Sequence, residues 1–361
     1  MQMKIAFLSR WNATCGVSLH AELLCRRFSA IGHEVLVFAP RLKSANKDWH
    51  HKKIKVRDEK WVLRLYDETT EICYPYGGEI DRERLLGEDY DVLVVELYAR
   101  LPLRRFEAIT DELRKKCKLV GVLHLSYRRD VDPLLRIKWD GFVIFDNRYY
   151  NELLKGHDLS SLGKLEEIPY PCAIVENVPA ERPEFAENLT LFFTYGRQPY
   201  LEYIDYIQAL RKLSKDIDFR YFVVRSDQQL PVKEPWLIQK VDRPSLPKIY
   251  GYLRGADIHL LPKGDTRGVV VSSTIAQCLH SGIPTIVPDT RYFETIPVDE
   301  RGMGPVVKYR IGDAGDLLEK IKMLVSDDEV RNEVAENAKN YALENSEIVV
   351  ARKFLEFLNS L

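Results

Sequence analysis

The chain has 361 residues, of which 45% are apolar and 30% charged, and its 53 basic residues against 54 acidic ones leave a net charge of −1. That is enough apolar material for one or two buried cores, which excludes a disordered, collagen-like or low-complexity chain. The even charge balance excludes a strongly basic protein built to wrap nucleic acid.

Residues 4–9 (KIAFLS) predict a short buried strand. A loop from Arg10 to Val17 follows and contains Gly16. Leu19, Leu23, Leu24, Phe28 and Ile31 then recur at helical spacing, and Gly32 ends the helix. His33 to Phe38 is the next strand, which completes a βαβ unit. Further apolar strands are predicted at 91–96, 118–124 and 141–145, with helical patterns between them. Continuous apolar strands alternating with helices imply a parallel sheet covered on both faces.

Pro169, Pro171, Pro179 and Pro183 mark 168–187 as a linker, after which the pattern restarts. Strands are predicted at 189–195, 219–225, 237–241, 258–261 and 283–287. The expected organisation is two doubly wound α/β domains, 1–167 and 188–340, facing across a cleft. A last segment, 341–361, carries a helix with Val349, Val350, Phe354, Phe357 and Leu358 on one face, which is expected to pack back on the first domain.

The N-terminus runs straight into a strand without the charged and apolar regions of a signal peptide, and no apolar run approaches ~18 residues. Six cysteines are spread along the chain with no C-x-x-C pair, so they are read as buried free thiols in a reducing cytosol rather than as a zinc site or disulfide frame. The expected location is cytoplasmic, with a peripheral contact to an anionic inner membrane face as a variant. The basic clusters at 50–57, 104–118 and 128–129 are the residues such a contact would use, although the acids among them favour a solvated helix face.

In parallel sheets ligands bind beyond the carboxyl ends of the strands, so residues just after strands are the candidates. Gly16 and Val17 open the first helix, where free N–H groups and close backbone approach suit a phosphate; a plain turn with Ser18 as N-cap is the alternative. Ser272, Ser273 and Thr274 open a short helix that Gly282 ends, with Pro284 beyond. Lys263, Asp265 and Arg267 lie in the loop before it, so cations stand beside three hydroxyls, as a diphosphate requires. Arg197 follows the first strand of the second domain and can clamp phosphate oxygens, or is a solvated surface arginine. His124 ends the strand 118–124 and is placed to meet a sugar hydroxyl, or is a satisfied rim histidine. Glu96 ends the strand 91–96 and is read as a salt-bridge partner of nearby arginines in preference to an acid/base group.

These pieces resemble the retaining GT-B glycosyltransferases, family-4-like. The likeness rests on the Gly16–Val17 loop, the strand ending in His124, Tyr195-Gly196-Arg197, Pro262 ending a strand, the block from Gly282 to Asp289 followed by Phe293-Glu294, and the closing amphipathic helix. It implies a GT-B fold, with an acceptor side in the first domain and a nucleotide-sugar donor side in the second. It implies that Arg197 binds the donor diphosphate, that His124 contacts the donor sugar and that the Gly16 loop lies near both. It implies no metal and no cofactor beyond the nucleotide-diphosphate sugar, and a glycan, lipid or small-molecule acceptor. The departures are Glu202 where the family often has a lysine, and the loss of the E-x7-E pair, whose places fall on Val269 and Gln277 or on Thr266 and Thr274. Gln277 is left to meet a ribose, and Ser272, Ser273 and the local cations to meet the phosphates. The expected reaction is glycosyl transfer with retention. The rivals are a non-catalytic nucleotide-sugar-binding or partner subunit, motivated by the departures, and a sugar-nucleotide epimerase.

Overall fold

The computed structural model describes residues 2–46, 54 and 56–361. Of the basic cluster at 50–57, only Ile54, Val56 and Arg57 fall within the described residues. The chain divides into two compact units. The first comprises 1–171, 268–273 and 347–361; the second comprises 172–267 and 274–346.

The first unit is built on β1 (Lys4–Leu8), β2 (Glu34–Pro40), β3 (Val62–Asp67), β4 (Glu79–Ile80), β5 (Val92–Leu97), β6 (Lys118–Leu123), β7 (Gly141–Ile144) and β8 (Lys164–Glu167). They form one sheet in the order β4-β3-β2-β1-β5-β6-β7-β8. Every pairing is parallel except β3 with β4. Each residue of β5 is buried, which is what a central parallel strand covered on both faces requires. The strand order reverses at β1, between β2 and β5. A crevice therefore opens at the carboxyl end of β1, where the loop to helix α1 (Gly16–Ala30) departs.

The C-terminal helix Glu347–Asn359 belongs to this unit and lies on α1. Its Phe354 ring stands 6.4 Å from Phe7 and 6.2 Å from Phe28. Gly141 in β7 makes room for the same helix, because a methyl group there would come within 2.6 Å of Phe357.

The second unit is a sheet of β9 (Thr190–Gly196), β10 (Phe219–Arg225), β11 (Leu237–Val241), β12 (Ile258–Leu260), β13 (Thr285–Pro288) and β14 (Val307–Tyr309), in the order β11-β10-β9-β12-β13-β14. All its pairings are parallel. Its switch point is at β9, flanked by β10 and β12. One face is packed by Tyr206, Leu210 and Leu213 with Leu317, Ile321 and Leu324, from two amphipathic helices at Ile204–Leu213 and Ala314–Ser326.

No helix among the described residues is long and apolar enough to cross a membrane. All six cysteines are free thiols; Cys25, Cys117, Cys172 and Cys278 are buried as expected, but Cys73 is exposed and Cys15 half-buried.

Candidate functional site

At the switch point of the first unit, Cys15 stands before α1 with no side-chain cap. Ser18 lies inside the helix, accepting from the Ala13 N–H at 3.0 Å and donating to Glu22 at 2.6 Å, so the reading of Ser18 as N-cap is corrected. Gly16 opens the helix, and its carbonyl accepts the Tyr170 hydroxyl at 2.6 Å. Val17 follows and is half-buried. A methyl group on Gly16 would sit 3.5 Å from Ser273 Cβ and 3.7 Å from its hydroxyl. Ser273 reaches this place because the segment 268–273 is tied to the first unit. The Val269 N–H donates to the Ser126 carbonyl at 2.9 Å, and Arg148 Nη2 donates to the Val270 carbonyl at 2.9 Å. Buried Ser272 lies on the same segment. Thus Gly16, the first residue of α1, has the Ser273 side chain as a neighbour, and Val17 follows it in the same first turn.

Below this loop, Arg10 bonds Glu68 through Nε and donates through Nη1 to Cys15 Sγ at 3.6 Å, while Tyr98 donates to Glu68 at 2.9 Å. This buried pair fixes the chain as it leaves β1. Sequence reading missed it, since Glu68 is remote from Arg10 along the chain.

His124 follows β6 directly. Its Nε2 lies 2.5 Å from Glu96 Oε2, and His20 Nδ1 lies 2.7 Å from Glu96 Oε1. The side chains of Glu96, His20 and His124 are 0%, 1% and 8% exposed. Glu96 is therefore not a partner of arginines, contrary to expectation: β5 and β6 are neighbours, and α1 lays His20 over them. Burial alone would raise the Glu96 pKa, but the charges and hydrogen bonds of the two rings outweigh it and hold it at about 2. Burial lowers the His124 pKa against the opposing pull of Glu96. The ligand atoms of the three residues lie within 4.8 Å of one another, a spacing that one ion could span. Each carboxylate oxygen is, however, already matched to its own ring at hydrogen-bond length.

In the second unit, Arg197 follows β9 and is half-buried. Gly196 before it has φ +133° and leaves Gln198 the space where a side chain would stand. Lys263 follows β12, the parallel neighbour of β9, so both cations stand beyond the carboxyl ends of adjacent strands. Burial pulls the Lys263 pKa down; Glu202 opposes this and Arg197 adds to it. The ammonium lies over the Tyr292 ring, 4.2 Å from its centroid. The Glu202 carboxylate lies against the backbone beside Lys263, where a methyl group on Gly264 would come within 2.9 Å of Oε1. Glu202 Oε2 is buried without a hydrogen-bond partner among the described residues.

Arg267 is exposed, and Thr274 and Gln277 are half-buried on the helix Ser273–Cys278. That helix has six residues and continues as a 3₁₀ turn to Ser281, where Gly282 ends it in the left-handed region at φ +70°. Tyr195 Oη donates to the Thr274 carbonyl at 3.4 Å, which sets the helix near the end of β9. The predicted residues thus fall in two sets: Gly16, Val17, His124, Ser272 and Ser273 in the first unit, and Arg197, Lys263, Arg267, Thr274 and Gln277 in the second.

The other basic clusters are largely engaged: Arg104 with Glu107, Arg105 with Glu79, Arg114 with Asp140 and Arg129 with Asp130. A surface hollow of about 490 Å³ lined by Gln229, Lys233, Glu234 and Pro235 contains none of the candidate residues.

No protein-family model matches the chain. Among solved structures, a glycosyltransferase from Rickettsia africae ESF-5 aligns with a TM-score of 0.70 at 14% identity, over 99% of this chain and 98% of its own. HepE of Anabaena, in complex with UDP-glucose, aligns with a TM-score of 0.69 at 14% identity, over 100% of both chains. Sucrose-phosphate synthase from Thermosynechococcus elongatus aligns with a TM-score of 0.64 at 11% identity, over 99% of both. Two parallel-dominated sheets in one mixed α/β chain, matched from end to end by these proteins, give this chain the GT-B fold of the glycosyltransferases.

Proposed function

We infer that the protein transfers a glycosyl group from a nucleotide-diphosphate sugar to an acceptor hydroxyl. The fold supports this, as does the presence among similar structures of HepE with UDP-glucose and an alpha-glucosyltransferase with UDP. The observation that carries the reading is Lys263. It is a half-buried ammonium beyond the end of β12, with no ion pair or hydrogen bond among the described residues, drawn on by the charge of Glu202 and repelled by Arg197. A cation drawn out of water needs an anion, and a diphosphate supplies one.

On this reading the second unit takes the donor. Arg197 and Lys263, with Arg267, neutralise the charge that develops on the departing diphosphate, which is the main electrostatic demand of the reaction. Thr274 and Gln277 face the nucleotide. In the first unit, taken by itself, Gly16, Val17, Ser272 and Ser273 are assigned to phosphate oxygens and His124 to a sugar hydroxyl by the family resemblance. The bond from the anomeric carbon to the diphosphate oxygen breaks, the acceptor oxygen bonds that carbon, and the released phosphate oxygen takes the acceptor proton. Retention and independence of a metal follow from the family resemblance. The acceptor is a glycan, a lipid or a small molecule, met in the cytoplasm or at the inner membrane face.

The test is a calorimetric and thermal-shift titration with UDP, GDP, ADP and CMP, followed by a donor-turnover assay on the nucleotide sugar that binds. Arg197→Ala is expected to abolish most binding and turnover with the fold intact. Unchanged binding in that variant overturns the assignment. A second reading, a nucleotide-sugar-binding subunit without turnover, is favoured by Glu202 in the place of the family's lysine; binding with neither transfer nor hydrolysis would select it.

A further inference from the structure

Glu96 is an ionised carboxylate without solvent contact. Such a group persists only where donors replace water, and here each oxygen has its own imidazole, at 2.7 Å and 2.5 Å. His20 Nδ1 and His124 Nε2 must therefore both carry hydrogen. On a neutral ring that leaves the opposite nitrogen as an acceptor, which for His124 is Nδ1. Among the described residues Nδ1 has no hydrogen-bond partner.

The rest of the surroundings keep the arrangement fixed. The His124 ring packs 4.9 Å from Phe145 and 5.4 Å from His20, centroid to centroid. His20 is enclosed by Phe145, Tyr170 and Phe354. The other titratable groups packed here are Cys25 of α1, whose thiol burial keeps protonated, and Tyr170, whose hydroxyl is committed to the Gly16 carbonyl. Neither competes for the Glu96 oxygens.

We propose that Glu96 and His20 are positioning residues that pin the proton of His124 on Nε2, so that Nδ1 is held as a fixed hydrogen-bond acceptor for a hydroxyl of the sugar substrate. An untethered histidine exchanges tautomers and offers a donor or an acceptor by turns; this one only accepts. His20 occupies the second carboxylate oxygen, which prevents Glu96 from drawing a second proton onto His124. The identity of the hydroxyl rests on the glycosyltransferase reading; the tautomer does not.

The experiment has two arms on the full chain. In the first, NMR of isotope-labelled histidine, with His124 assigned by its loss in His124→Gln, reads tautomer and titration midpoint. Wild type is expected to show hydrogen on Nε2 and a midpoint below the ordinary 6.5. Glu96→Gln is expected to lower the midpoint further and mix the tautomers, because the charge that favours protonation is gone. His20→Ala is expected to raise it, because Glu96 then acts on His124 alone. A proton on Nδ1 in wild type, or shifts of the same sign in both variants, overturns the proposal. So does uptake of one Zn²⁺ that removes both ring protons, which would make the cluster a metal centre.

In the second arm, His124→Ala is titrated with UDP-glucose and UDP, and with GDP-mannose and GDP. Weakening by roughly tenfold for the nucleotide sugar, with the bare nucleotide unchanged, is expected for one lost hydrogen bond. Equal losses for both, or none, overturn the sugar contact. If wild type binds no nucleotide and no nucleotide sugar, the glycosyltransferase reading falls and takes the sugar contact with it, while the first arm still decides the tautomer.

Discussion

The ammonium of Lys263 stands 4.2 Å from the ring centroid of Tyr292, and no carboxylate of the described residues forms an ion pair with it. A ring face offsets only part of the cost of removing a cation from water. Lys263→Met is therefore expected to leave the melting temperature unchanged or raised, and to weaken binding of the preferred nucleoside diphosphate by about 10–100-fold, the worth of one charge-assisted hydrogen bond. Calorimetry on the variant checks both, and equal affinity in the two proteins removes Lys263 from the grip.

Gly16 is not in the left-handed region, and a methyl group there meets Ser273 and Tyr170 only at ordinary contact distance. Gly16→Ala should therefore fold, with stability within about 1 kcal/mol of wild type and a slight gain from helix propensity. The same methyl group occupies the space before the first N–H groups of α1. Loss of nucleotide-sugar affinity without loss of stability is expected, read by paired urea and binding titrations. Stability and affinity falling together would point to a structural glycine.

His259 in β12 is fully buried, and burial lowers its pKa from 6.5 to about 3. Its Nε2 has no partner among the described residues, and Nδ1 lies 3.3 Å from Thr285 Oγ1. The ring is neutral in the folded protein and charged in the unfolded chain below its ordinary value. This contribution to stability is whole above pH 6.5 and is lost as pH falls toward about 3. His259→Phe keeps the stacking on Tyr195 and should flatten that part of the pH–stability curve. Parallel urea titrations across the window measure it; identical slopes would mean the ring is protonated in place.

Phe354 is fully buried against Phe7 and Phe28. Phe354→Ala is expected to cost about 3–5 kcal/mol by urea denaturation. Phe357→Ala, next to Gly141, should behave alike. Loss of less than about 1 kcal/mol in both would mean that the helix Glu347–Asn359 is not part of that core.

Strands were legible where apolar and β-branched residues cluster: 219–225 and 237–241 coincide with β10 and β11, β1, β6 and β7 end one residue short of the expected bounds, and β5 and β9 are shifted by one residue. The short or polar strands were not. β4 has two residues and β14 three, β8 reads KLEE, and the alternation in β3 (VLRLYD) is interrupted by Arg64. His124 was legible as a strand end. His20 was not, since a histidine beside Leu19 in an apolar helical stripe looks like any core position. The arginines nearest Glu96 in sequence drew it to the wrong partner, and only the pairing of β5 with β6 beneath α1 sets it between two rings.

The path of the backbone has a practical consequence. The polypeptide passes from one unit to the other after 171, returns for 268–273, leaves again, and comes home at 347. A truncation after Pro171 would strip the first half of the helix that covers Phe7 and Phe28 and of the strip that brings Ser273 to Gly16. Neither half is obtained by a single cut. Exchange of halves with a distant homologue must therefore transplant the closing helix along with its sheet, or leave an oily scar on one partner and an orphaned amphipathic tail on the other.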